Sequence, residues 1–377
     1  MALLGKFSTF VAEELEKRTC IGGDKDSFRS KIIDALMLPS FEKPVVSSEW
    51  VREYDFLRIE KLSWGVGFGK SEGYVLSPLD QKGLLPGVLA LHDHGGEKYW
   101  GKSKIVDVGL KREPSLLDHQ RRYYGERAWA NELAKKGYVV FVPDLFGFES
   151  RRIKVSDLSP SLVAELLTPP LEITEGGIYE NPDSTLDDSL SHREEYNALA
   201  RKLEHLIAKV LISGGYTWAG YTVAEDLVSL DILANHPLVD NSRLGCGGLS
   251  LGGLRSVLLS AVSPQIQASF VVGFMTTFKD LVLNKANRHT WIAYAPALSH
   301  LCEFGELLYA HAPKPLLIQH GMKDDLFTFS EALASSARIQ ALYHDYPDHF
   351  TFTAYDDVHL FDEVMQEEAF GFLGRFL

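Results

Sequence analysis

Cysteine is scarce: Cys20, Cys246 and Cys302 are the only three in 377 residues. Spaced so widely, they suit neither a disulfide framework nor a cysteine-rich zinc site. Basic runs are missing too. Asp and Glu outnumber Lys and Arg by 51 to 38, for a net charge of −13. Neither nucleic acid nor an anionic membrane surface is therefore expected as a partner. No apolar stretch approaches the roughly 20 residues that span a bilayer. The opening MALLGKFSTFVAEELEKR soon meets acidic charge and holds no secretory apolar core with a cleavage site, so a soluble, cytoplasmic chain is expected. There is no repeat with a period of roughly 20–50 residues and no low-complexity tract, which argues against solenoids and propellers.

What is present suits a large core. Hydrophobic residues make up 45% and charged residues 24%. The length allows two domains, or one large α/β domain with insertions. Helix-spaced apolar residues run over 7–18 and 27–38, with Pro39 stopping the second run, so residues 1–55 read as an N-terminal helical extension. Residues 54–79 are mixed and glycine-rich, with room for one or two strands. From residue 86 apolar strands alternate with helices: strands at 87–91, 138–142, 243–247, 268–273, 315–319 and 350–354. Helices are expected over 124–136, 251–262 and 362–377. This alternation predicts a mostly parallel twisted sheet flanked by helices, over residues 56–377.

Residues 149–217 interrupt it. The first half carries Pro160, Pro169, Pro170, Gly176, Gly177 and Pro182 and reads as loop. Ser191 to Glu194 then forms a capping box before a helix with Tyr196, Leu199, Leu203, Leu206, Ile207 and Val210 on its apolar face. A second box, Thr222 to Glu225, is expected to open another helix ending before Pro237. Such an insertion reads as a lid or side wall, with plain helical decoration as the blander alternative.

The sharpest local feature is Gly248-Leu-Ser250-Leu-Gly252-Gly253 between a predicted strand and a predicted helix. A serine hydroxyl attacks only when a base takes its proton and the oxygen stands unobstructed. A strained strand-to-helix turn presents it, and small neighbours at −2 and +2 let that turn close. The acid and base are then expected after later strands, in the order Ser, Asp or Glu, His. Asp324 follows the strand 315–319 by a short turn eased by Gly321, with Asp325 beside it as the alternative. His359 is the last histidine and sits before the closing helix, whereas His344 and His349 precede the last strand. A surface histidine is the blander reading of His359.

The turn also sets the Leu251 N–H at a helix N-terminus, where negative charge is stabilised. The loop His92-Asp-His94-Gly95-Gly96 is suited to supply a second amide, with Gly96 the first choice and Gly95 close behind. His92 and His94 also invite a metal reading, but no nearby carboxylate or histidine cluster completes a site, so no metal is expected. Trp64, Trp100, Tyr123, Tyr124, Trp218 and Trp291 are candidate pocket walls, each equally readable as core. Cys246 reads as a small buried hydrophobe.

In these pieces the chain resembles a serine hydrolase of the α/β-hydrolase superfamily, in its dienelactone hydrolase and acetyl xylan esterase-like branch. The resemblance runs from about residue 85 onward. It rests on HDHGG (92–96), ANELAKKGYVVFVPDLFG (130–147), VDNSRLGCGGLSLGG (239–253), LLIQHGMKDD (316–325) and His359. It implies the α/β-hydrolase fold, Ser250 as nucleophile, Asp324 as acid and His359 as base. A dienelactone hydrolase proper uses a cysteine nucleophile, and this chain is longer at its N-terminus and in the insertion, so substrate class does not carry over. The expected activity is that of a carboxylesterase-type hydrolase acting on a small-molecule ester, with no cofactor, and with room for a homo-oligomer. Amide, peptide or C–C bond cleavage by the same three residues is the alternative. A catalytically silent binding protein of the same fold is the reading from another class.

Overall fold

The computed structural model describes residues 2–18, 23–166 and 190–377, with backbone only at 190 and 191. Its strands are β1 (Val46–Tyr54), β2 (Leu57–Val66), β3 (Gly69–Pro78), β4 (Leu85–Ala90), β5 (Val139–Pro143), β6 (Val239–Leu249), β7 (Ile266–Val272), β8 (Leu316–Gly321) and β9 (Phe350–Tyr355). They form one nine-stranded sheet in the order β1-β2-β3-β5-β4-β6-β7-β8-β9. The first three strands run as an antiparallel meander whose β3 pairs antiparallel with β5. From β5 to β9 every neighbouring pair is parallel. Strands β4 and β5 are buried on both faces, as their unbroken apolar runs require. Each fully buried Val, Leu or Phe contributes about 1.5–3 kcal/mol.

The helices are α1 (Lys6–Glu16), α2 (Lys25–Leu36), α3 (Pro114–Tyr124), α4 (Trp129–Lys135), α5 (Pro160–Leu166), α6 (Leu190–Ser213), α7 (Trp218–Ala234), α8 (Leu251–Val262), the single turn α9 (Phe278–Asp280), α10 (Phe329–Leu342) and α11 (Glu363–Phe376). One core packs α2, α7, α8 and α10 against one face of the sheet, through Phe28, Leu233, Leu254 and Ile339. The other packs α4 and α11 against the opposite face, through Trp129, Leu133, Met365 and Phe370. Every residue of α8 is buried, which is why that helix reads apolar all round.

Four expectations are revised. The sheet starts at Val46, within the segment expected to be a helical extension. The expected helix over 124–136 is two helices, because Gly125 at φ 60 closes α3 in a left-handed cap before α4 begins. Helix α7 opens at Trp218, not at Thr222: Thr217 caps it by accepting the Gly220 N–H at 2.8 Å. On α6, Tyr196, Leu199 and Leu203 are buried and Ile207 packs against the core, but Leu206 and Val210 of the expected apolar face are 36% and 62% exposed. The prolines and glycines of the insertion from Pro169 to Pro182, and Cys20, lie outside the described residues, as does the Ser191 side chain of the expected cap.

Chain order places β5 on one side of β4 and β6 on the other. The crossovers diverge at that point, the place where open α/β sheets carry their ligand sites, outside the carboxyl ends of the strands. The loop 92–96 leaves β4 there and Ser250 leaves β6.

Candidate active site

Ser250 joins β6 to α8 with φ 60 and ψ −116. A non-glycine residue held there stores about 1–3 kcal/mol of strain. The fold holds it from both sides: the Ser250 N–H donates to the Val272 carbonyl at 2.8 Å, and its own carbonyl accepts from the Leu254 N–H at 2.9 Å. The glycines on either side answer to one atom. A β-carbon on Gly248 would stand 2.1 Å from the Leu91 carbonyl oxygen, and one on Gly252 2.0 Å from it. The turn crosses the end of β4 at backbone contact, so only glycine fits at −2 and +2. The serine itself is partly exposed.

The predicted acid and base meet. Asp324 lies just past β8, where its Oδ1 accepts from the Leu326 N–H at 2.9 Å. Its Oδ2 is 2.5 Å from His359 Nδ1. Burial would raise the Asp324 carboxyl, but the hydrogen bond and charge of His359 together with the Leu326 N–H outweigh it and hold the group below the usual carboxylate range. A carboxylate can only accept, so Nδ1 of His359 carries the proton and Nε2 is left as the basic nitrogen. The neighbouring Asp325 is 75% exposed and faces Arg288 at 3.9 Å. Gly321 makes the meeting possible: a β-carbon there would lie 2.4 Å from the Val358 carbonyl, so the histidine loop crosses β8 at its last residue.

The His359 ring rests over Gly273, the residue after Val272, whose carbonyl anchors Ser250. Ser250 and the His359 imidazole thus converge on the carboxyl end of β7. Among the described residues the hydrogen bond of His359 is to Asp324 and not to Ser250 Oγ, and catalytic contacts of the latter kind often tighten only when substrate binds.

Of the expected oxyanion donors, Leu251 supplies the first amide of α8, a position that has no intrahelical acceptor. Gly95 and Gly96 both take positive φ, 55° and 70°. The Gly96 N–H is engaged within its own loop, donating to His94 Nδ1 at 3.1 Å. Beneath the loop, buried Asp93 accepts from His119 Nε2 at 3.1 Å and from the Tyr124 hydroxyl, while Lys104 Nζ donates to the Asp93 and His94 carbonyls at 2.9 and 3.0 Å. Burial opposes the Asp93 charge, yet His119 and Lys104 hold the carboxyl well below its usual range. His92 donates from Nδ1 to the Asp93 carbonyl at 3.0 Å, and burial keeps it neutral. Among the described residues no group of His, Cys, Asp and Glu is placed to hold a metal.

Trp64, Trp100, Tyr124 and Trp218 are buried in the hydrophobic clusters rather than exposed as walls. Trp291 is partly exposed and donates to His205 Nδ1 of α6 at 2.9 Å. Cys246 is a buried free thiol that burial pushes up to about 12, so it is inert.

Glu204 was not singled out in the sequence. Its Oε1 lies 3.1 Å from His94 Nε2, 2.6 Å from Lys98 Nζ and 3.2 Å from the Thr290 hydroxyl. Burial alone would raise its carboxyl, but His94 and Lys98 outweigh that and hold it at about 2. Nothing local in the sequence marks it, because its partners His94 and Thr290 lie 110 and 86 positions away.

No protein-family model matches the chain. It is 24% identical over 264 residues to the Bacillus subtilis protein named "Putative hydrolase YtaP", which is 69% of this chain and 67% of that one. Among solved structures it resembles a Bacteroides fragilis protein described as a putative acetyl xylan esterase, with a TM-score of 0.63 at 15% identity, over 92% of this chain and 81% of that one. It also resembles Methylesterase BT1017, with a TM-score of 0.60 at 20% identity, over 93% of this chain and 63% of that longer one. No helix among the described residues is long and apolar enough to cross a membrane.

Proposed function

The chain has the α/β-hydrolase fold, and we propose that it uses it as a serine hydrolase of carboxylic esters. The observation that carries the reading is the convergence, at one end of β7, of a strained and partly exposed Ser250 with an Asp324–His359 pair 2.5 Å apart. The esterases among its structural neighbours and its hydrolase-named relative support the same class.

In the proposed reaction, Nε2 of His359 takes the proton of Ser250 as its oxygen attacks the ester carbonyl. Asp324 keeps Nδ1–H in place and stabilises the imidazolium that forms. The Leu251 N–H, at the start of α8, receives the developing oxyanion together with an amide of the 92–96 loop. Gly95 is the readier loop donor, because the Gly96 N–H is already given to His94. The alcohol leaves with the proton from His359, which then activates water to release the acid from Ser250.

The Ser250→Ala variant, assayed on p-nitrophenyl acetate, is expected to keep its fold and lose kcat by several orders of magnitude. Wild-type turnover by that variant would overturn the reading. A series of p-nitrophenyl esters of increasing acyl length, run beside an aryl amide, separates ester from amide cleavage and measures the acyl pocket.

A further inference from the structure

The long helix of the insertion reaches the catalytic loop through one carboxylate. Glu204 of α6 bonds to His94 in the loop after β4 and to the Thr290 hydroxyl before the turn that carries Trp291, and it pairs in charge with Lys98 of the same loop at 2.6 Å. The His94 contact decides a proton. His94 is half-buried, and desolvation together with Lys98 keeps its ring below the ordinary histidine range against the pull of Glu204. A neutral imidazole carries one N–H, and a carboxylate facing Nε2 requires that it sit there. Nδ1 is then a bare acceptor, the only form that can receive the Gly96 N–H at 3.1 Å. With the other tautomer, two N–H groups would face each other at Gly96. The conformation of Gly95 and Gly96, both at positive φ, is tied in this way to a residue 110 positions from His94.

We propose that Glu204 is a positioning residue of the reaction: by fixing the Nε2–H tautomer of His94 it sets the shape of the 92–96 loop that faces the acyl oxyanion. The insertion helix α6 is then part of the catalytic apparatus rather than an added cover. This rests on the reading of Ser250 as nucleophile.

The test compares Glu204→Ala, Glu204→Gln, His94→Ala and the Glu204→Ala/His94→Ala pair on p-nitrophenyl acetate. Active sites are counted by stoichiometric fluorophosphonate labelling, so that misfolded protein does not enter kcat. Glu204→Ala is expected to lower kcat per labelled site by about 10²-fold, the scale of a small misplacement at a reacting centre, with KM nearly unchanged. Glu204→Gln keeps an acceptor oxygen opposite Nε2 and is expected to recover most of the loss. The double variant is expected to be no worse than His94→Ala, because both changes remove the same link. Wild-type kcat per site in Glu204→Ala overturns the proposal. So does a Gln variant as impaired as Ala, or losses that multiply in the double variant. Ser250→Ala run in the same series keeps the two claims apart: turnover there overturns the nucleophile, whatever Glu204 does.

Discussion

The imidazole of His359 rests on Gly273: a β-carbon at that glycine would stand 3.0 Å from Cε1 and 3.1 Å from Nδ1 of the ring. Gly273 also takes φ +58, where a side chain is strained. Its neighbour Val272 anchors the Ser250 amide, so the bare strand end is what lets His359 and Ser250 share one site. Gly273→Ala is expected to push the imidazole aside and lower kcat by about tenfold or more, while the far-ultraviolet circular dichroism is unchanged. Wild-type kcat would show that the ring does not depend on this seat.

The two adjacent aspartates differ in what they touch. Asp324→Asn leaves a side chain of the same shape but lets His359 turn to the wrong tautomer, and kcat is expected to fall by about 10⁴-fold. Asp325→Asn, at a solvent-exposed carboxylate, is expected to remain within about twofold of wild type, as surface changes usually do. The reverse ranking in a steady-state assay would reassign the acid.

Helix α8, which follows Ser250, is held by a buried ion pair. Arg255 on α8 donates to Asp226 on α7 from Nε at 3.0 Å and from a terminal nitrogen at 2.5 Å, and both residues are almost fully buried. Asp226→Ala strands the guanidinium in the core and is expected to cost about 3–5 kcal/mol. Urea unfolding measures it: an unchanged midpoint would mean the pair contributes nothing.

Acid should destabilise the protein through histidines buried in neutral form. His320 is fully buried against Phe327 and Phe329, and neither ring nitrogen has a hydrogen-bond partner among the described residues. Burial lowers it from 6.5 to about 4. The unfolded chain therefore takes up the proton first, so the contribution is intact above about pH 6.5 and is lost as pH falls toward 4. His289, lowered to about 4, and His311, lowered to about 3, act with the same sign. His320→Phe removes one such proton. Its unfolding free energy, measured by urea titration from pH 7 to pH 4.5, is expected to fall less steeply than that of wild type, by up to about 1.4 kcal/mol per pH unit. Parallel slopes would contradict the assignment.

Much of this site is legible in local sequence because its parts are local. The serine turn, the glycines around it and the order of Ser250, Asp324 and His359 follow from strand ends that a short apolar run reveals. The reason both Gly248 and Gly252 must be glycine is not local, since it is the Leu91 carbonyl of another strand. The meander was harder to read. Strand β1 is mostly exposed at the sheet edge, and its alternation is too weakly apolar to separate it from the helices before it. Helix α7 misled for the opposite reason: it is buried nearly all round, so Thr222 and Glu225 looked like a cap while the Glu225 carboxylate faces Arg151 in the interior. The engagement of Gly96 by His94 could not be foreseen, because it depends on a carboxylate brought in by α6.

The central claim is that one serine oxygen is nucleophilic. Folded protein treated with a fluorophosphonate, digested and mapped by mass spectrometry tests it most directly. The account predicts a single adduct on Ser250, absent after heat denaturation and absent in His359→Ala. An adduct on a different residue, or none in protein that turns over esters, would contradict it.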